Sequence, residues 1–295
     1  MYDIIIIGCG PSGMTAAIYA RRANKNVLVL EAKTYGGQII NTLDIENYPC
    51  EEHISGFDFS TKLYNQVINL GAEVKLEEVI NVSLEDDIKV IKTTDNTYKT
   101  KALIIATGVK NRTLGISNEK KLIGKGISYC ATCDGAFFKG KITSVVGGGN
   151  TALEDALYLS DIAEKVYLIH RRDQFRADEI LVDKVLKKDN IEIIYNSNII
   201  KINGIDKLES IDLDNNKNIK TDALFIAVGQ VPNNDIFKDL IDLDDNGYII
   251  SDNCITSAEG IYAAGDNRVK ELRQLVTATS DGAIAANLAI KYLNK

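Results

Sequence analysis

Cys130 and Cys133 are separated by two residues, close enough to form a small disulfide ring, and a thiolate at a helix start is favoured by the backbone amides there. Opening and closing such a ring moves electrons and protons together. Asp134 is the nearest titratable group in sequence, and a partly buried carboxyl with a raised pKa serves as acid or base. A glycine-rich turn precedes the pair and another follows it. Gly8-Cys-Gly-Pro-Ser-Gly13 fits GxGxxG, and Gly147-Gly-Gly-Asn-Thr-Ala152 fits GxGxxA. Glycines in such turns let the backbone approach a pyrophosphate, which rests on helix N-terminal amides. Gly8, Gly10, Ser12 and Gly13 are the candidate contacts at the first turn; Gly147, Gly149, Asn150 and Thr151 are those at the second.

Charge at the end of the following strand separates the two turns. Glu31 can accept hydrogen bonds from ribose hydroxyls and would repel a phosphate. The second turn is followed instead by His170-Arg171-Arg172 and Arg176, all four candidate contacts for its nucleotide, with no carboxylate before Asp173. Guanidinium forks bind phosphate bidentately, so these arginines suit a 2′-phosphate. The first site is expected to take a nucleotide with free ribose hydroxyls and the second to take NADPH. Structural alternatives stand beside each reading. A glycine turn can simply tighten a βαβ unit, the arginines can pair with Asp173, Asp178 and Glu179, and His170 can be structural. The two cysteines can be buried, or form half of an intermolecular metal site. With two nucleotide turns in one chain, a redox relay is the economical reading.

The remaining composition narrows the field. At roughly 100–200 residues per domain, 295 residues suggest two domains. Forty-one acidic residues against 34 basic ones give a net charge of −7, which argues against a nucleic-acid-binding surface. No apolar run approaches the roughly 20 residues that cross a bilayer, and no basic leader reads as a signal peptide, so no membrane association is expected. The five cysteines are odd in number and scattered, unlike a secreted disulfide framework, which points to the cytoplasm. A single CxxC and only two histidines, His53 and His170, supply no zinc set, and no metal is expected. Cys9, Cys50 and Cys254 read as packing residues.

Positioning these groups requires α/β architecture. Residues 3–7 and 26–31 are apolar runs of the kind buried on both faces of a parallel sheet, with a helix from 14 between them. The same grammar recurs at 141–146 and 166–170, where Asn150 is the expected N-cap of the intervening helix. Residues 57–70 read as a helix closed by Gly71. Residues 72–100 read as polar antiparallel strands beside the main sheet. Short apolar strands end at Thr107-Gly108, at Gly229 and at Gly265-Asp266, and a C-terminal helix of about 20 residues follows.

On these residues the chain resembles the low-molecular-weight, bacterial-type NADPH-dependent thioredoxin reductases from end to end. The matching blocks are 8–13, Gly36-Gly-Gln38, Glu46-Asn-Tyr-Pro49, Ala106-Thr-Gly108, Cys130–Asp134, 147–152, 170–177, Gly265-Asp266 and Arg273–Thr277. The resemblance implies two glutathione-reductase-type, three-layer Rossmann-like domains. An FAD-binding domain (1–112 and 240–295) would carry an inserted NADPH-binding domain (113–239) with the redox CxxC. It implies FAD with Glu31 on the adenosine ribose; Gly36, Gly37, Gln38 and Asn47 along the flavin; and Asp266 on the ribityl chain. Arg273 and Gln274 would lie near the isoalloxazine, with Thr107, Gly108 and Gly265 completing the site. Cys133 would face the flavin, and Cys130 would attack thioredoxin's disulfide. A homodimer is implied, as is a domain rotation that alternates nicotinamide and dithiol at one ring. The alternatives are a flavin oxidoreductase acting on another thioredoxin-fold protein or a small-molecule disulfide, and a flavin redox sensor without turnover. Cys50 stands where the family usually has glycine, Gln230 replaces a frequent histidine, and Ser280 replaces a small apolar residue.

Overall fold

The computed structural model describes residues 1–42 and 44–295. They form two compact units: residues 1–110 with 231–295, and residues 111–230 inserted between them. The first unit opens with β1 (Tyr2–Ile7), α1 (Pro11–Arg22) and β2 (Val27–Glu31). Ile4 and Ile6 pack on the face covered by α1, whereas Ile5 and Ile7 pack on the opposite face. A strand buried on both sides needs apolar residues at every position, hence the unbroken run in the sequence. α2 (Gly56–Asn69) is capped by Ser55, whose Oγ accepts from the Asp58 N–H at 3.0 Å, and Gly71 follows it with φ 80°.

β3 (Glu73–Leu76) joins the main sheet parallel to β2, and Val74 packs into the core there. The antiparallel pattern expected over 72–100 belongs only to the strands after it, β4 (Val79–Glu85), β5 (Ile88–Thr93) and the start of β6 (Thr97–Ile105). The end of β6 pairs in parallel with β1.

β7 (Val109–Asn111) leads into the second unit, where β8 (Ile127–Ser128), α3 (Ala131–Asp134) and β9 (Ile142–Gly147) come first. α4 (Asn150–Ser160), β10 (Lys165–Ile169), α5 (Glu179–Leu186) and β11 (Ile191–Ile194) follow. β12 (Ile199–Asn203), β13 (Ser210–Leu213) and β14 (Asn218–Lys220) make a small antiparallel sheet, and β15 (Ala223–Ala227) returns to the parallel one. The parallel order is β11-β10-β9-β15-β8.

The chain re-enters the first unit within β16 (Gln230–Pro232), then forms β17 (Ile261–Ala263), which pairs with β6, and α6 (Leu275–Leu293), which covers α1. The first unit's parallel strands therefore run β3-β2-β1-β6-β17; the first four follow the same chain order as β11-β10-β9-β15 of the second, whereas the fifth is the last strand in the chain here and the first of its sheet there. Re-entry precedes the expected 239 because Phe237 and Ile241 are already buried beneath Ile5 and Leu103 in the first unit's core. Among the described residues no helix is long and apolar enough to cross a membrane.

Two local features have energetic consequences. Tyr48-Pro49-Cys50-Glu51 is a turn in which the Glu51 N–H donates to the Tyr48 carbonyl at 3.1 Å, and Cys50 takes φ 72°. Proline followed by a left-handed residue is the type II pattern, and that third position favours glycine. A side chain there costs about 1–2 kcal/mol, partly offset by the lower unfolded-state entropy of a non-glycine residue. Cys50→Gly is expected to raise unfolding free energy by about 0.5–1 kcal/mol in chemical denaturation. On α4, Asp155 is only 9% exposed, on the inner stripe with Ala152, Ala156 and Leu159. Burial, reinforced by the Glu154 charge and partly offset by the Ala131 N–H, pushes its carboxyl up to about 7 from 3.8. The native chain holds this proton more tightly than the unfolded chain does. Its stability therefore falls as pH rises from the unfolded value through the folded one. Asp155→Asn should gain on the parent by about 1–3 kcal/mol between about pH 5 and about pH 8, measured by urea unfolding at both.

Candidate active site

The first glycine turn is built by backbone contact. Gly8 has φ 109°, and a Cβ there would stand 2.2 Å from the Ala106 oxygen; a Cβ on Gly13 would stand 2.0 Å from the Gly8 oxygen. No side chain fits either place. Glu31, at the end of β2, closes over the turn: its Oε2 accepts from the Cys9 N–H at 2.9 Å and its Oε1 from the Lys33 N–H at 3.1 Å. The Gly36 N–H donates to the Cys9 carbonyl at 2.8 Å, which brings Gly36, Gly37 and Gln38 to this turn. Gly37 approaches the α-carbon of Gly10, so these two stretches of main chain run in contact.

Other expected residues gather at the strand ends of the same unit. Asn47 Nδ2 donates to Gln274 Oε1 at 3.2 Å. Arg273 lies over the Tyr248 ring, 4.5 Å from its centroid, and its Nε donates to the Asp266 carbonyl at 3.3 Å. Gln38 Nε2 donates to the Val109 carbonyl at 3.3 Å, just beyond Gly108, which has φ 61°. Thr107 Oγ1 donates to Asn234 Oδ1 at 3.0 Å and accepts from Asn267 Nδ2 at 3.0 Å. Neither asparagine stood out in the sequence, since asparagine is common in polar loops. Gly265 sits against Ser12, and its N–H donates to Asp281, which is held by Arg268 and Lys270 at 2.9 Å each. Burial opposes ionisation of Asp281, but these two cations hold its carboxyl below the usual range.

Asp266 tests the fit of a ligand. Its Oδ1 is buried without a hydrogen-bond partner, and burial raises its carboxyl above the ordinary range despite Lys270 and Arg273. A buried acceptor left unpaired is costly, and a hydroxyl-bearing ligand would satisfy it. The orphaned atom and the side-chain-free turn beside it fit the ribityl and pyrophosphate portions of FAD.

The inserted unit repeats the turn with a different rim. A Cβ on Gly147 would stand 2.3 Å from the Ala227 oxygen. Gly149, rather than the expected Asn150, is the N-cap of α4. Asn150 instead exchanges two hydrogen bonds with Asp178, from Nδ2 to Oδ2 and from the Asp178 N–H to Oδ1, both 2.9 Å. Thr151 is exposed in the first turn of that helix. Arg171 and Arg176 are exposed and Arg172 is half-buried. Among the described residues none of these three pairs with a carboxylate, so pairing with Asp173, Asp178 or Glu179 does not account for them. His170 is buried at their root.

Cys130 and Cys133 form a disulfide with a Cα–Cα separation of 5.3 Å. The turn that carries them packs on α4: Ala131 is buried with Ala152 and Ala156, and Gly135 lies against Tyr158 and Leu159. Beside it a short polar chain forms. The Cys130 N–H donates to Ser128 Oγ at 3.1 Å, and Ser128 Oγ donates to Asp134 Oδ2 at 2.6 Å. Burial pushes the Asp134 carboxyl above the usual carboxylate range, against the pull of that hydroxyl. Asp134 is thus a buried carboxyl, raised above its ordinary range, in the turn that carries the disulfide. Ser128 and Asp155 were not foreseen, although Asp155 betrays itself as a charge on an apolar helical stripe. Elsewhere burial pushes the Cys9 thiol up to about 12, with help from Glu31, and the Cys254 thiol up to about 11, so neither is a thiolate at neutral pH.

The sequence profile of the pyridine nucleotide-disulphide oxidoreductases matches residues 2–282. The chain is 43% identical to a thioredoxin reductase of Listeria monocytogenes, covering 100% of this chain and 95% of that protein. It is 42% identical to one from Bacillus subtilis, covering 100% and 96%. The solved thioredoxin reductase of Streptococcus pyogenes superposes with a TM-score of 0.95 at 43% identity, over 100% of this chain and 98% of that one. Because the likeness runs through both units and the segments that join them, this protein belongs to the pyridine nucleotide-disulphide oxidoreductase family, among the thioredoxin reductases of bacterial type.

Proposed function

We propose that the chain catalyses NADPH-dependent reduction of the disulfide of thioredoxin in the cytoplasm, as a homodimer. The observation that carries this reading is the Cys130–Cys133 disulfide lying in the same inserted unit as the arginine-rimmed glycine turn. In the first unit Gly8, Gly10, Ser12 and Gly13 would hold the FAD pyrophosphate, Glu31 the adenosine ribose and Asp266 the ribityl chain. Gly36, Gly37, Gln38, Asn47, Thr107, Gly108, Gly265, Arg273 and Gln274 would line the rest. In the inserted unit Gly147, Gly149, Asn150 and Thr151 would meet the NADPH pyrophosphate, and Arg171, Arg172 and Arg176 its 2′-phosphate. FAD, when bound, supplies a carrier that takes hydride from a nicotinamide and passes an electron pair to a disulfide.

The protein's own groups then manage sulfur and protons. The disulfide accepts two electrons and two protons and opens to two thiols. Asp134, whose carboxyl burial raises above the usual range, would act as acid and base beside them, and the Ser128 hydroxyl donates to its Oδ2. Cys130 Sγ, as thiolate, attacks a sulfur of the partner's disulfide and displaces the other as thiolate, which takes up a proton. Cys133 Sγ then attacks Cys130, restores the internal disulfide and releases the second partner thiol. The two chain crossings let the inserted unit turn, so that nicotinamide and disulfide are presented in succession.

Stopped-flow oxidation of NADPH with and without thioredoxin tests the reading; no thioredoxin-dependent turnover would contradict it. Neutral replacement of Arg171 and Arg172 should weaken NADPH by about tenfold or more while NADH changes little, because only NADPH carries the extra phosphate. Equal loss for both would contradict the 2′-phosphate assignment. Cys130→Ser should leave the flavin reducible by NADPH, seen as anaerobic bleaching, yet lose thioredoxin reduction.

A further inference from the structure

We propose that His170 is a positioning residue for nucleotide choice: its buried ring locks the loop of Arg171, Arg172 and Arg176 onto the second glycine turn without itself contacting the 2′-phosphate. This rests on the NADPH reading above and deepens it. His170 is 7% exposed, at the root of a loop whose arginines reach solvent. The ring lies flat on Gly148. A Cβ built there would stand 2.1 Å from its Cε1, 2.2 Å from Nδ1 and 2.7 Å from Nε2. Gly148 occupies the variable position of GxGxxA, where pyrophosphate binding asks for no glycine. The imidazole supplies the reason for one.

The other limb of the loop closes on the same place. Nε2 stands 3.0 Å from the Gln174 carbonyl, an acceptor for its N–H. The Arg176 N–H donates to the Gly148 carbonyl at 2.7 Å, and Arg176 forms a parallel bridge with Gly149. Phe175 lies 5.4 Å from the imidazole and Tyr195 lies 5.1 Å beyond it, centroid to centroid. The Asn196 N–H donates to the Arg172 carbonyl at 3.1 Å and holds the outer side. Both limbs thus grip one glycine segment with the ring as wedge. Bidentate recognition tolerates misplacement of only about 0.5 Å, so flexible exposed guanidinium groups depend on a loop backbone of fixed height. Enclosed by Gly148, Gln174 and Phe175, the imidazole serves that backbone rather than the ligand.

Titration calorimetry of the holoenzyme with 2′,5′-ADP and with 5′-AMP tests this, since the two differ by the phosphate in question. His170→Asn removes the wedge; Gly148→Ala keeps the imidazole but displaces it. Both should weaken 2′,5′-ADP about tenfold and 5′-AMP less than about twofold, with retained 5′-AMP binding reporting an intact fold. Equal weakening of both ligands, or no change in either, overturns the positioning role. So does loss confined to His170→Asn, which would assign the imidazole a direct contact. An Arg171→Gln/Arg172→Gln variant separates the two levels. If it too leaves 2′,5′-ADP untouched, the phosphate site itself has failed; if it alone weakens 2′,5′-ADP, only the role of His170 falls.

Discussion

Backbone-to-backbone approach at the glycine turns is the constraint on which the architecture rests. A methyl group at Gly13 would lie 2.0 Å from the Gly8 oxygen, and one at Gly282 would lie 2.2 Å from the Ser12 oxygen. These contacts set the distance of α1 from β1 and of α6 from α1. The turn is therefore clamped from both sides, and its amides are directed at whatever occupies the space in front. The Gly147 contact with Ala227 does the same in the inserted unit. Side chains decide what each turn accepts, but the absence of side chains allows anything to approach.

Environment, not number, sorts the cysteines. Cys9 and Cys254 are fully buried, where the charged form is disfavoured, and they behave as small apolar residues. Cys130 and Cys133 are half-buried, bonded to each other, and accompanied by a carboxyl that burial raises above its ordinary range. A pair that opens and closes needs access for a partner sulfur and a nearby acid or base, and among the cysteines of the described residues Cys130 and Cys133 have both a partly exposed setting and a neighbouring raised carboxyl. Exposure without those companions leaves Cys50 a turn residue.

Much of the design could be read from the chain. Largely apolar runs marked β1, β2, β9 and β10, with glycine closing β1 and β9, because strands buried on both faces leave few polar positions to blur the pattern. The charge contrast between Glu31 and Arg171–Arg172 marked two rims on one kind of turn. What escaped depends on tertiary context. Asn234, Asn267 and Ser128 are ordinary polar residues until folding places them against Thr107 and Asp134. β3 is short and alternates polar with apolar residues, so nothing local distinguishes a parallel edge strand from a member of the following meander. Asn150 has the chemistry of a cap, yet Asp178, distant in sequence, captured its side chain.

The inserted unit leaves and re-enters the surrounding chain at neighbouring points. The Arg112 N–H donates to the Gly229 carbonyl at 3.0 Å, and Gln230 Nε2 donates to Asn111 Oδ1 at 2.9 Å. A segment whose first and last residues are already joined costs its host almost no loop-closure entropy, whatever its internal length. It can be copied, excised or exchanged as a cassette while the host sheet keeps its register. The first four parallel strands of the insert repeat the order of the host, whereas its fifth comes from ahead of them in the chain, so the repetition holds for the centre of the sheet and not for its edge.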